Sequence, residues 1–167
     1  DLLRIGILVL GIWDLGFFLM TSLFKRTYVF LDMIRFEHTV FALPFAYLGM
    51  MLAAKGLPAW DKVFWITLAM AAARTAGMSL NRYIDRFIDA KNPRTQARPI
   101  QASKISAQAV LLGATISLIV LAVSAWMLNL TAFVLFPGAL FFLVIYSYSK
   151  RFTWLSHFIL GFTDGLA

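Results

Sequence analysis

Residues 60–91 read WDKVFWITLAMAAARTAGMSLNRYIDRFIDAK, an apolar run as far as Leu80 that turns polar at Asn81. A helix that crosses a bilayer needs roughly 20 mainly apolar residues, and positions 60–80 meet that length. Comparable stretches lie at 5–24, 38–54, 106–127 and 130–149, and a sixth starts near Trp154. Hydrocarbon offers no water to open backbone groups, so these stretches should be helices rather than sheet. The expected fold is an all-α, polytopic transmembrane helical bundle.

Composition agrees. Of 167 residues, 61% are hydrophobic and 16% aromatic, and the mean hydropathy of +0.81 is that of a membrane protein rather than a soluble domain. Soluble enzymes with aspartate-rich helices are thereby excluded. Cysteine is absent, so any metal must sit on oxygen or imidazole. The net charge of +7 does not indicate nucleic acid, because the fifteen Lys and Arg residues lie in short segments between apolar stretches.

Those segments set an orientation. Lys25, Arg26, Arg35, Arg74, Arg82, Arg86, Lys91, Arg94, Arg98, Lys104, Lys150 and Arg151 fall on one side, and Arg4, Lys55 and Lys62 on the other. Twelve against three places the 81–104 segment and the Lys150-Arg151 turn in the cytoplasm by the positive-inside rule. The first stretch carries Asp14 at its middle, which is costly in lipid unless it meets a partner or the stretch lies along the interface. A chain that starts at Asp1 and stops at Ala167 inside an apolar stretch is expected to be part of a longer protein, truncated after about five to six helices at the 1.5 Å per residue of a spanning helix.

Asn81, Asp85 and Asp89 recur at every fourth position. At 100° per residue they share an arc of about 80°, into which Arg74 also projects. Pro93 disfavours helical geometry at Asn92, so the helix should end there with both aspartates in its last turns. Carboxylates at that end oppose the helix dipole by roughly 0.3–1 kcal/mol each. A bound cation removes the penalty, and magnesium suits the pattern: it takes one or two carboxylates, keeps waters and completes its shell with phosphate oxygens. The plainer reading pairs the aspartates with Arg82, Arg86 or Lys91 at a solvated helix end. Against it, Lys91, Arg94 and Arg98 outnumber the local carboxylates and repel one another unless an anion joins them.

Three further clusters stand out. Tyr146 and Lys150 share a helix face at the cytoplasmic end of a span and can converge on one phosphate group, although Tyr, Lys and Arg there are also ordinary interfacial anchors. Arg35 can reach the same anion or simply pair with Asp32 or Glu37, and neighbouring His38 reads as an interfacial polar residue rather than a metal ligand. His157 and Asp164, seven apart, put two ionisable groups on one face of the last apolar segment, either as a bundle contact or as lining of a cavity.

These residues resemble the UbiA superfamily of intramembrane prenyltransferases, whose first aspartate motif has the form Asn-x-x-x-Asp-x-x-x-Asp. Supporting features are Ile-Arg-Phe-Glu-His-Thr at 34–39, Arg-Thr-Ala-Gly at 74–77, Arg-Thr-x-x-Arg-Pro at 94–99 and Tyr-x-Tyr-x-Lys-Arg at 146–151. The 33–50 region is most similar to the bacterial 4-hydroxybenzoate polyprenyltransferases and related enzymes of menaquinone synthesis. The resemblance runs from about residue 30 to the end. It implies an extra N-terminal apolar helix at 1–30 and the N-terminal part of a UbiA-like domain at 31–167.

The resemblance further implies that Asn81, Asp85 and Asp89 bind magnesium and a diphosphate, with the two aspartates catalytic, while Arg35, Arg98, Tyr146 and Lys150 hold phosphate oxygens. The substrates would be an isoprenyl diphosphate and an aromatic acceptor such as 4-hydroxybenzoate, in quinone biosynthesis in a bacterial inner membrane. A naphthoate or a haem is an equally open acceptor. The family's second aspartate motif has no counterpart after Lys150, where Asp164 stands alone, so the chain by itself is expected to lack half the metal site. Two rivals come from other classes: an ion- or proton-coupled transporter fragment using Asp85, Asp89, His157 and Asp164, and a non-catalytic membrane subunit.

Overall fold

The computed structural model describes residues 20–149 together with Phe158 and Gly161. Among the described residues there are five helices and no strand: α1 (20–33), α2 (Phe36–Ala54), α3 (Trp60–Lys91), α4 (Ala107–Leu128) and α5 (Leu130–Ser149). Helices α2 to α5 are each long and apolar enough to cross a membrane, and they fall where hydropathy puts them. Most of the 5–24 stretch, the segment from Trp154, and Lys150, His157 and Asp164 lie outside the described residues. Lys25 and Arg26 stand within α1 rather than in a connecting loop.

Helix α3 has 32 residues, or about 48 Å at 1.5 Å per residue. That exceeds a hydrocarbon core of about 30 Å by several turns, so the polar end from Asn81 onward can stand clear of lipid while Trp60–Leu80 spans it. As Pro93 requires, the helix stops at Lys91, and Asn92 turns extended at φ −101°, ψ 120°.

Each connection has a local cause. Helix α2 ends in a left-handed residue, Lys55 (φ 52°), whose N–H donates to the Leu52 carbonyl while Gly56 N–H reaches back to Met51, a pair of bonds that satisfies carbonyls left over at a helix end. Ser106 caps α4 by accepting from Ala109 N–H at 3.1 Å. Asn129 is the one residue between α4 and α5, and its Oδ1 accepts from Ala132 N–H at 2.7 Å, so the two helices turn back on each other. Lys62, at the start of α3, donates from Nζ to the Leu128 carbonyl at 3.0 Å. That bond sets the start of α3 beside the end of α4, hence antiparallel.

Helices α3 and α4 make the most extensive contact. Their buried residues are mostly small, Ala72, Ala76 and Ser79 on α3 and Ala114, Ser124 and Ala125 on α4, which lets membrane helices approach closely. The C-terminal end of α1 is held by Met33 and the following Ile34, buried with Val110 and flanked by Phe30, Met78, Tyr83, Ile100 and Ile105. Large apolar side chains elsewhere face outward, Phe41 at 76% and Leu52 at 71% exposure. In a bilayer these meet lipid rather than water.

Candidate active site

The site is built on the last three turns of α3. Asp85 and Asp89 are each only 7% exposed, and Asn81, one turn earlier, is half-buried. Buried carboxylates need compensating charge or hydrogen bonds. Asp89 obtains both from outside its own helix: Arg98 Nη1 donates to Asp89 Oδ2 at 2.5 Å. The simpler pairing of Asp89 with Arg86 or Lys91 does not form. Arg86 instead lies 4.1 Å from the Tyr83 ring centroid and 4.3 Å from that of Phe87, and donates to the Tyr83 carbonyl.

The 92–106 segment carries Arg98 into place by folding back over the helix end. Asn92 Oδ1 accepts from Arg94 N–H at 3.0 Å, which starts the turn. Thr95, itself buried, donates from Oγ1 to the Asp89 carbonyl at 2.9 Å, and Gln101 Nε2 donates to the Arg86 carbonyl at 2.9 Å. Two side chains of the segment thus bind carbonyls of the last turns of α3, and that of Asp89 is among the four at the helix end that lack an i+4 intrahelical donor. The result is a tethered cap.

Arg98 also lines a cleft of about 390 Å³, with Asp32, Arg35, Arg82, Arg94 and Thr95 among others. Four arginines and one aspartate thus line it. Arg82 feels the positive charges of Arg98 and Arg35 as well as the negative charges of Asp89 and Asp85. Crowded guanidiniums repel one another unless an anion joins them, and planar guanidinium forks match phosphate oxygens.

Arg35 reaches the cleft through an unusual backbone. It adopts the left-handed conformation, φ 54° and ψ 58°, in the two-residue turn between α1 and α2, with its N–H on the Asp32 carbonyl at 3.1 Å. Its guanidinium also lies 3.6 Å from Glu37, so it both lines the cleft and pairs locally. His38 is exposed, and among the described residues no group of three or more His, Asp or Glu side chains could hold a metal. Two buried carboxylates one turn apart, with the Asn81 amide, fit a single oxygen-seeking cation that completes its shell elsewhere.

The structure therefore gathers Asp85, Asp89, Arg98 and Arg35 at one end of the bundle. Tyr146 stands half-buried near the end of α5 and is not among the residues lining the cleft; Lys150 lies outside the described residues. Sequence reasoning weighed Arg82 as a basic residue and a pairing partner for the aspartates, and missed its place in the cleft. A signal was present, since Arg82 precedes Asp89 by seven residues and so shares its face. Asp32 carried no such signal, because the α1–α2 turn that brings it to the cleft is a tertiary arrangement.

Comparison with known proteins bears on the family and the fold. The model of the UbiA prenyltransferase family matches residues 42–167. A protoheme IX farnesyltransferase of Methylococcus capsulatus is 36% identical over 77% of this chain and 43% of its own length. A 4-hydroxybenzoate octaprenyltransferase of Pseudoalteromonas atlantica is 37% identical over 71% of the chain and 42% of its own length. The apo structure of a UbiA homolog from Aeropyrum pernix superposes with a TM-score of 0.70 at 33% identity, covering 76% of this chain and 46% of that one. The chain thus spans less than half the length of these relatives. With four helices fit to span a bilayer and this match, the chain is an integral membrane protein and belongs to the UbiA prenyltransferase family.

Proposed function

We propose that this chain supplies the first half of a prenyltransferase that moves an isoprenoid chain from its diphosphate to an aromatic acceptor such as 4-hydroxybenzoate. One observation carries the reading: of the two buried carboxylates on α3, Asp89 pairs with Arg98, which lines a cleft together with Arg35, Arg82 and Arg94. A polyanionic diphosphate leaving group with its counter-cation satisfies both sets of charges.

Asp85 and Asp89, with Asn81, would hold magnesium, which when bound neutralises charge on the diphosphate. The arginines fix the phosphate oxygens and stabilise the negative charge that grows on them as the allylic carbon–oxygen bond breaks. The electron pair leaves with diphosphate, the acceptor ring attacks the allylic carbon, and the ring then loses a proton. Apolar surface between the spans keeps water from that carbon. The twelve-to-three distribution of basic residues supports an active site on the cytoplasmic side of a bacterial inner membrane.

The test is transfer from radiolabelled geranyl diphosphate in membranes, with and without magnesium, offering 4-hydroxybenzoate, a dihydroxynaphthoate and protohaem in turn. The chain is compared with a version extended past Ala167 to the length of its relatives. Product from the extended form alone, dependent on magnesium and on one acceptor, supports the reading and selects the acceptor. Absence of product with every acceptor overturns it.

A further inference from the structure

The ion pair between Arg98 and Asp89 places one side chain in two environments that cannot both be served in the same way. Asp89 is 9% exposed at its side chain and Arg98 is 32% exposed, so the guanidinium reaches from a buried carboxylate into the basic cleft that it also lines. Arg98 is the cation that now balances Asp89. A divalent cation entering at Asp85 and Asp89 would compete for the same carboxylate and repel the same guanidinium.

We propose that Arg98 is an exchangeable counter-ion: it holds Asp89 while the cation site is empty, and turns to the anion in the cleft when a divalent cation takes its place. The proposal rests on reading the cleft as a diphosphate site and adds a rule for how it fills. Cation and anion each release the group that the other needs, so each raises the affinity for the other, as linkage requires.

The backbone around Arg98 is arranged for a side-chain exchange rather than a loop movement. Its N–H donates to the Thr95 carbonyl at 3.1 Å and its carbonyl accepts from Ala102 N–H at 2.8 Å. Thr95 is in turn anchored to the Asp89 carbonyl. The flexible stem of Arg98 is the part left to move. Arg82, which feels the same charges, has no such ion pair among the described residues, and so serves as the control for simple loss of positive charge.

The experiment measures binding without turnover, on the chain extended to its relatives' length and held in lipid nanodiscs. First, magnesium binding is titrated calorimetrically with no prenyl donor present, for the wild type, Arg98→Gln and Arg82→Gln. Arg98→Gln is expected to bind magnesium about fivefold or more tightly than wild type, a coupling at the low end of the usual range, with a clearly smaller gain for Arg82→Gln. Second, binding of inorganic diphosphate is measured in chelator, with no metal, for Asp89→Asn and Asp85→Asn. Asp89→Asn frees Arg98 and should tighten diphosphate binding by a similar factor, with less effect from Asp85→Asn.

Unchanged or weaker magnesium binding by Arg98→Gln overturns the exchange. So do equal effects of the paired variants, which would mean that only the overall field matters. If Arg98→Gln fails to fold, the aspartate pair decides the matter alone. Because no reaction is measured, an exchange seen in a protein that transfers no prenyl group keeps this inference and discards the proposed reaction; transfer without exchange does the reverse.

Discussion

At the residue scale, the two aspartates and the four arginines have opposite failure modes. Replacing Asp85 or Asp89 by Asn keeps shape and removes charge; prenyl transfer in the extended chain should fall by about a hundredfold or more, as for loss of a group that stabilises the transition state electrostatically, and radiolabelled product measures it. Arg35 carries a cost in its backbone, since a non-glycine residue in the left-handed region is disfavoured by roughly 1–2 kcal/mol. Arg35→Gly should therefore raise thermal stability by about 1 kcal/mol while weakening diphosphate binding, the two effects being separated by a melting curve and a titration. Ser79 is fully buried, and its hydroxyl has no hydrogen-bond partner among the described residues. Ser79→Ala should stabilise the protein by about 1 kcal/mol, read from thermal unfolding in detergent, since an unsatisfied buried hydroxyl is a net cost.

At the element scale, the docking of α1 includes one close approach besides the cluster around Met33 and Ile34. A Cβ placed on Gly113 of α4 would lie 2.7 Å from Cζ of Phe30 and 2.8 Å from its Cε2, so the ring occupies the space that glycine leaves. Gly113→Ala should push Phe30 aside and loosen α1, at a cost of roughly 1–3 kcal/mol for overpacking. Limited proteolysis within α1 should then become faster, and Phe30→Ala on the same background should restore resistance. The same scale bears on the transport alternative. Ion-coupled transporters commonly bind near mid-membrane at broken helices, whereas α3 runs unbroken for 32 residues and sets its carboxylates at one end. That arrangement suits a fixed ligand at the membrane surface.

At the scale of the whole molecule, the charge asymmetry predicts which end of the bundle meets which solution. Native cysteine is absent, so single introduced thiols report position without background. Lys104→Cys should react with a membrane-impermeant maleimide only from the cytoplasmic side, and Lys55→Cys only from the opposite side. The reverse pattern would place the cleft outside the cell and remove its access to cytoplasmic prenyl diphosphates. The bond from Lys62 to the end of α4 lies at the opposite end of α3 from the cleft, so the bundle is tied at both ends, by a cap on one side and by the tethered 92–106 segment on the other.

By itself the sequence determined the spans and the aspartate stripe, because each depends on local pattern. Hydrophobic length sets a membrane helix and a spacing of four sets a face; α2, α4 and α5 begin and end within about two residues of the apolar stretches, the ordinary uncertainty of helix ends. Pro93 was enough to end α3. Only the tertiary structure decided which cation balances Asp89. Nothing local distinguishes Arg98, nine residues further along, from Arg86 or Lys91 on the helix itself, and the choice follows from Thr95 and Gln101 drawing the segment back over the helix end. The left-handed turn at Arg35 and the meeting of Asp32 with Arg82 and Arg98 likewise came from the packing of α1 against α4, since contacts between distant segments are set by how surfaces fit and not by the period of either one.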